Sequence, residues 1–371
     1  MKILEVITGL SSGGAERFVV DLCNQMVEDG HEVYLLVMKD FNVGNYDFYK
    51  KDLSESVHIQ SLGLNKFGVS TFYSLYKAIK DIPCDIVHMH LDPPFFGILS
   101  YIFDRKKKYI VTSHNQAESE QAEKMRFYVK QFCFKLGLFE QVAISHQNAN
   151  SITTVYGKQP IETIYNGRAF TPLSGRYEEV KTEIEKLKKT SETLIFCIIA
   201  RCTKQKNIPR LVRVFNQLHQ QGFDFELLVI GSGYNQSEYK NCIDNASPRI
   251  HFLGERHNVV DYLSCSDFFT LSSDYEGMPI TLIEALACKC IPVGTPVSGF
   301  NDVITDGVNG FIAKDFSDNA YLDALTRAIT YREKINKNDL YSLYIREFSI
   351  QSCASKYETL FSKLLEKKNV K

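Results

Sequence analysis

Residues 1–37 read MKILEVITGLSSGGAERFVVDLCNQMVEDGHEVYLLV, and their pattern decides the fold class. Ile3 to Ile7 is a short apolar run, as expected of a strand buried on both faces. A turn of small residues follows, Thr8 to Gly14. Ala15, Phe18, Val19, Leu22, Cys23, Met26 and Val27 then recur at steps of three and four, which puts them on one face of a helix. Gly30 suits the position just past a helix end, and Val33 to Val37 opens a second strand. Strand, helix and strand in so short a stretch form a βαβ unit, so the sheet is parallel and the class is α/β.

The pattern repeats downstream. Asp85 to His90, Tyr109 to Ser113, Val142 to Ser145 and Thr163 to Tyr165 read as strands, and the charged stretch Arg176 to Thr190 reads as a polar helix or linker near a domain junction. A second series follows it. Leu194 to Ala200 is a strand, Pro209 opens a helix whose inner face is Leu211, Val212, Phe215 and Leu218, and Gly222 ends that helix. Phe225 to Ile230, Ile250 to Leu253, Phe268 to Leu271 and Ile291 to Val293 continue the second sheet. The expected division is 1–170 and 171–349, with a helix of about 350–371 packing back onto the first domain. The length of 371 residues supports this, since two domains of that size can each bury a core.

Composition excludes several classes. The formal net charge of −1 gives no electrostatic footprint for nucleic acid. No apolar run approaches the roughly 20 residues that cross a bilayer, and the start of the chain reads as a buried strand rather than a secretory signal, so a cytoplasmic protein, soluble or peripheral on the membrane's inner face, is expected. The ten cysteines form no CxxC pair and read as free thiols.

Ligands of doubly wound sheets bind outside the carboxyl ends of the strands, and three constellations lie in such turns. Gly13-Gly14-Ala15-Glu16-Arg17 precedes a helix, where glycines let a phosphate approach the backbone, though a tight turn alone would look the same. It is not the GxGxxG fingerprint of nicotinamide enzymes. Arg201 and Lys206 follow the strand Leu194 to Ala200, and two cations there can converge on one diphosphate. The stretch Ser273 to Glu284 sets Glu276 before a helix and Glu284 on its second turn, with Pro279 suited to the first helical position and free N–H groups near Ile280, Thr281 and Leu282 facing an anion. A carboxylate such as Glu284 in an otherwise apolar helix asks for a partner, and ribose hydroxyls would serve.

With these motifs in this order, the chain resembles the retaining glycosyltransferases of family 4. Asp85-Ile-Val-His-Met-His90, Asn166-Gly167, Phe252-Leu253-Gly254 and Asp306-Gly307 to Gly310 also match, so the resemblance spans nearly the whole chain. It implies the GT-B architecture: two facing Rossmann-like domains with a central donor cleft. It further implies that Arg201 and Lys206 bind the donor diphosphate, with Gly13 and Gly14 contacting it from the other domain. Glu276 would contact the donor sugar, with backbone N–H groups of Gly277, Met278, Pro279 (which has no N–H of its own), Ile280, Thr281 and Leu282 around sugar and phosphate. Glu284 would hold the ribose, Gly254 would receive the base, and His114 would lie near the reacting sugar. Implied substrates are a UDP- or GDP-sugar and a glycan or lipid-linked acceptor, as in bacterial surface polysaccharide synthesis, with no cofactor and no metal. The chain departs from the family at His114-Asn115, where His-Asp is frequent, and at Ser298-Gly299-Phe300-Asn301-Asp302, where Gly-Gly-x-x-Glu is frequent. A non-transferring enzyme such as an epimerase, or a nucleotide-sugar-binding protein, are the alternative readings.

Weaker signals point elsewhere. His88 and His90 share a face of one strand, but two histidines without a third ligand do not make a zinc site. Asp274-Tyr-Glu276 resembles a metal-diphosphate motif, a role that Arg201 and Lys206 can fill instead. Arg105 to Lys108 reads as a solvated basic loop. The stretch Glu118 to Phe139 mixes Lys124, Arg126, Lys130 and Lys135 with aromatic residues. It reads first as a core helix with a basic outer face, and second as a surface for an anionic membrane.

Overall fold

The structure, a computed structural model, describes residues 1–44, 46–114, 117–121 and 124–366. It divides into two units, Met1–Ala169 with the segment from Glu347 onward, and Phe170–Arg346. The first unit is built on strands β1 (Lys2–Ile7), β2 (Glu32–Lys39), β3 (His58–Leu64), β4 (Ile86–His90), β5 (Lys108–Ser113), β6 (Glu140–Ala143) and β7 (Glu162–Thr163). Their order is β3-β2-β1-β4-β5-β6-β7, and every pairing is parallel. The second unit has β8 (Leu194–Ile199), β9 (Phe225–Ile230), β10 (Ile250–Gly254), β11 (Phe268–Leu271), β12 (Ile291–Gly294) and β13 (Phe311–Ile312) in the order β10-β9-β8-β11-β12-β13, again all parallel. The order reverses between β1 and β4 and between β8 and β11, which are the switch points where such sheets hold ligands.

The opening helix runs Gly14–Glu28, with Gly13 extended at its N-cap, and buries Phe18, Val19, Leu22, Cys23 and Met26 as its periodicity requires. Val20 and Gln25 are buried as well, on a helix whose apolar face shares one core with the C-terminal helix Ile350–Glu366. That helix buries Cys353, Ala354, Tyr357, Leu360, Phe361 and Leu364 in the first unit's core. The chain enters it through a parallel bridge in which Arg168 N–H donates to Phe348 O at 2.9 Å and Ile350 N–H donates to Arg168 O at 3.1 Å. The bridge depends on Gly167: a Cβ there would stand 2.6 Å from Cys353 Cβ and 2.9 Å from Ile350 Cα. Beside it, Asp21 accepts from Arg168 at 2.6 Å and from Arg17 at 2.7 Å, so Arg17 of the Gly-Gly-Ala-Glu-Arg motif is tied into the scaffold.

Two strands end two residues earlier than the sequence reading, the others it placed lying closer to it. β6 ends at Ala143 rather than Ser145, because the Ser145 side chain accepts from Asn148 N–H and caps the helix His146–Tyr156. β7 covers Glu162–Thr163 rather than Thr163 to Tyr165. The stretch Arg176 to Thr190 contains the helix Tyr177–Leu187, which buries Val180 and Ile184 in the second unit.

Gly167→Ala is expected to loosen the C-terminal helix from the first unit and to lower stability by about 1–3 kcal/mol, the usual cost of overpacking. Urea unfolding monitored by circular dichroism measures this, and an unchanged midpoint would show that the Gly167 contact relaxes without cost.

Candidate active site

In the second unit, the turns after β8 and β11 are laced together. Asn207 adopts a left-handed conformation (φ 45°), accepts from Arg210 N–H at 3.1 Å to cap the helix Ile208–Gln220, and donates to both Asp274 carboxylate oxygens at 3.1 Å. Arg210 donates to Asp274 at 2.6 Å and to Ser272 O at 3.0 Å. Gln205 donates to Tyr275 O at 2.9 Å, and Ser272 Oγ donates to Lys206 O at 2.8 Å. These contacts bring Lys206 Nζ to 2.5 Å from Glu276 Oε1, which also accepts from Ser273 Oγ at 2.7 Å. Thus Lys206 and Glu276, assigned to different parts of a ligand, form an ion pair in this structure. Arg201 stands apart from it, exposed and without an ion pair among the described residues. In the Asp274-Tyr-Glu276 run, the cations Arg210 and Lys206 each hold one carboxylate.

The glutamate loop then enters the helix Ile280–Ala287. Pro279 is its N-cap (φ −67°, ψ 113°) rather than its first helical residue, which corrects the sequence reading by one position. The Leu282 N–H already donates to Pro279 O at 3.1 Å, so it is not free as expected; Ile280 and Thr281 lead the helix. Glu284 is buried on the second turn. The loop is held from behind by the helix Ser298–Val303, where a Cβ on Gly299 would meet Gly277 O at 2.2 Å and Met278 Cα at 2.7 Å. The motif that departs from the family pattern therefore retains the glycine that lets these backbones touch. Gly254 ends β10 with φ 70°, and its carbonyl accepts from Gly231 N–H at 2.9 Å beside the turn Gly231-Ser-Gly233.

In the first unit, Gly13 and Gly14 sit at the start of the helix Gly14–Glu28. The Glu16 carboxylate, held by Ser11 Oγ at 2.7 Å, lies 2.1 Å from where a Gly13 Cβ would be and so folds over that helix end. Thr8 Oγ1 donates to Asp92 at 3.1 Å, linking the turns after β1 and β4. Behind these turns is a cavity of about 420 Å³ lined by Thr8, Glu16, Asp92, His114, Arg126 and Lys130 among others. Asn115 lies outside the described residues.

Sequence reasoning missed Glu5. It is paired in register with His88 and, like His88 and His90, is fully buried. His88 Nδ1 lies 3.1 Å from Glu5 Oε1, and His90 Nε2 lies 2.7 Å from Glu5 Oε2. His90 Nδ1 lies 2.9 Å from His114 Nε2, while His88 Nε2 lies 2.7 Å from Thr112 Oγ1, itself 2.8 Å from the Tyr357 hydroxyl. Burial alone would raise the Glu5 carboxyl, but the two histidines hold it down at about 2. Burial, with His88 beside it, lowers His90 to about 4, and burial with His90 beside it holds His114 well below the usual histidine range. The signal was available: a lone carboxylate inside an apolar strand needs a partner. Glu5 supplies the third ligand that the two histidines lacked, the three atoms lying within 4.8 Å of one another, yet those atoms are already engaged with each other.

The family described as Glycosyltransferase Family 4 matches residues 12–168, and that described as Glycosyl transferases group 1 matches residues 179–341. Among similar proteins, N-acetyl-alpha-D-glucosaminyl L-malate synthase of Bacillus anthracis is 24% identical, with 96% of this chain and 95% of that protein covered. UDP-Gal:alpha-D-GlcNAc-diphosphoundecaprenol alpha-1,3-galactosyltransferase of Escherichia coli is 26% identical over 70% of each chain. Among solved structures, Anabaena HepE in complex with UDP superposes with a TM-score of 0.81 at 14% identity, covering 98% of this chain and all of that one. Sucrose-phosphate synthase of Thermosynechococcus elongatus reaches a TM-score of 0.79 at 18% identity, covering 99% of this chain and all of that one. These two share its fold. With one family matched on each unit and the motifs of both in place, the chain belongs to the family 4 glycosyltransferases of GT-B fold.

Proposed function

We propose that the protein transfers a hexosyl residue, with retention of anomeric configuration, from a UDP- or GDP-sugar to a hydroxyl of a glycan or lipid-linked acceptor in bacterial surface polysaccharide synthesis. The observation that carries this reading is the laced pair of turns after β8 and β11. They hold Lys206 against Glu276 at the carboxyl edge of the sheet, with Arg201 exposed on the same loop as Lys206. In the transfer, the anomeric C–O bond breaks with its electron pair going to the diphosphate. The acceptor oxygen forms the new bond and passes its proton to the departing diphosphate oxygen. Arg201, Lys206 and the start of the helix Ile280–Ala287 would take up the charge that develops on the leaving group. Glu276 would orient the sugar, Glu284 the ribose and the Gly254 backbone the base. The named activity of the Escherichia coli relative, on a diphosphoundecaprenol acceptor with UDP-Gal, supports the choice of substrates.

The helix Lys124–Lys135 bears on where the protein works. It buries Phe127, Lys130, Cys133 and Phe134. Its outer face is not the basic one that the sequence suggested first: Met125, Tyr128 and Phe132, with Leu136 just beyond, are 71%, 63%, 62% and 58% exposed. These four recur at steps of three and four, an apolar stripe flanked by the exposed Lys124 and Lys135. An apolar face edged by lysines suits the interface of an anionic bilayer, so we assign the protein to the inner membrane surface from the cytoplasmic side. No helix among the described residues is long and apolar enough to cross a membrane.

Calorimetry with UDP and GDP tests the donor site. Arg201→Ala and Lys206→Ala should each weaken nucleoside diphosphate binding roughly tenfold or more, the loss of one charge-assisted contact. Glu284→Gln should do the same. Glu276→Gln should not, because it frees Lys206 for the diphosphate; affinity should hold or rise while single-turnover transfer falls. Equal loss of nucleotide affinity in both glutamate variants would end this division of roles. Because cations rather than a metal face the diphosphate, transfer should continue in EDTA, and loss that Mg²⁺ or Mn²⁺ restores would refute that assignment. Flotation with vesicles of phosphatidylglycerol and phosphatidylcholine should carry the protein with the lipid, and Met125→Ser with Phe132→Ser should leave it in solution. Equal recovery of both forms would remove the helix from the membrane contact.

A further inference from the structure

The buried polar chain in the first unit runs from the C-terminal helix to the cavity: Tyr357, Thr112, His88, Glu5, His90, His114. Its members come from β1, β4, β5, the turn after β5 and the helix Ile350–Glu366. Counting donors and acceptors gives each bond a direction. An ionised carboxylate only accepts, so His90 must donate from Nε2 and His88 from Nδ1. A neutral imidazole carries one N–H, so His90 Nδ1 is an acceptor and His114 must donate to it from Nε2. On the other branch His88 Nε2 accepts from the Thr112 hydroxyl, which then accepts from Tyr357. Every proton in the chain is used once. What remains is His114 Nδ1, a bare lone pair. That atom is buried and has no hydrogen-bond partner among the described residues, and its ring lines the cavity. A buried polar atom without a partner is uncommon and asks what completes it.

We propose that Glu5, acting through His90, fixes His114 as the Nε2–H tautomer, so that its Nδ1 accepts a hydrogen bond from a hydroxyl of the ligand bound beside it. Glu5 and His90 are positioning residues; neither touches the ligand. The identity of the ligand as a sugar rests on the transfer reading above, but the tautomer does not. The device selects for a group that can donate: a hydroxyl fits, while an ether or carbonyl oxygen at the same place would face a lone pair. Packing reinforces the arrangement, since the Phe18 ring lies 6.1 Å from His90 and 5.7 Å from His114, and Tyr357 lies 4.9 Å from His88.

The test is the direction of one hydrogen bond, read by the ¹⁵N–¹⁵N coupling across it in histidine-labelled protein without ligand. The expected result is a coupling between His114 Nε2 and His90 Nδ1 with the proton on His114. A proton on His90 Nδ1, or no coupling, overturns the proposal. Glu5→Gln then tests cause. A glutamine offers one accepting and one donating end, so one histidine must reverse. Reversing His88 would strand the Tyr357 hydroxyl proton in the core, whereas reversing His90 sends a proton to the unpartnered Nδ1 of His114, a residue that lines the cavity. The coupling should therefore persist with the proton on His90, and transfer should fall at least tenfold in kcat/KM with UDP or GDP affinity unchanged. Unchanged polarity in this variant removes Glu5 from the role. If the variant does not fold, the wild-type polarity alone decides. If wild-type protein transfers nothing from any UDP- or GDP-sugar, the transfer reading fails while the coupling still judges the tautomer.

Discussion

A strand can be followed by a parallel neighbour only through a crossover that returns over one face of the sheet. Both sheets here are parallel throughout, so all strand-to-helix turns of a unit emerge at one edge. At the switch points the crossovers leave toward opposite faces, and the two turns beside each switch are left to line a crevice. The turns after β1 and β4 flank the first, and Thr8 reaches Asp92 across it. The turns after β8 and β11 flank the second, and Lys206 reaches Glu276 across it. Residues more than 60 positions apart in sequence thus meet because of chain direction, before any side chain has been chosen.

Within that frame the second unit holds a lysine in place at the carboxyl edge of its sheet. Lysine is flexible and strongly hydrated, and holding it in place costs side-chain entropy. Glu276 supplies the restraint, itself held by Ser273, while Arg210 and Asn207 engage the neighbouring Asp274 so that it does not compete for Lys206. The pair is partly exposed at Lys206 and nearly buried at Glu276. On the proposed function an anion arriving from the open side meets the lysine first, and Glu276, on giving Lys206 up, keeps the hydrogen bond from Ser273.

The sequence made the strands with continuous apolar runs legible, because burial on both faces leaves no other reading: β1, β8, β9 and β11 fall within one residue of their expected ends. β3 escaped because His58–Leu64 is an edge strand with alternating, half-exposed residues and a glycine, and β13 because two residues carry no pattern. The motif loops could be placed at the ligand edge, but not their pairing, since nothing local says that Lys206 will choose Glu276. The helix Lys124–Lys135 was misjudged for a similar reason. Its aromatic residues occur on both faces, and only packing shows that Phe127 and Phe134 go in while Tyr128 and Phe132 stay out.

Each sheet buries a carboxylate beside a histidine, and position along the strand separates their meanings. Glu226 is the second residue of β9, held by Arg249 and by His251 at 2.7 Å, and both partners reach solvent. It lies at the amino end of its strand, opposite the ligand edge, where a charged cluster serves the fold. Glu5 lies in the second half of β1, and its partners are fully buried. A cluster of that kind is a poor way to gain stability, since well-packed apolar residues of similar volume generally do as well or better. It is also directional, running to the last residue of β4 and then to His114, just past the end of β5, at the same edge as the glycine turn. A network that costs solvation at the sheet centre and ends on an unpartnered nitrogen beside a cavity is better accounted for by what happens at that edge than by the packing it replaces.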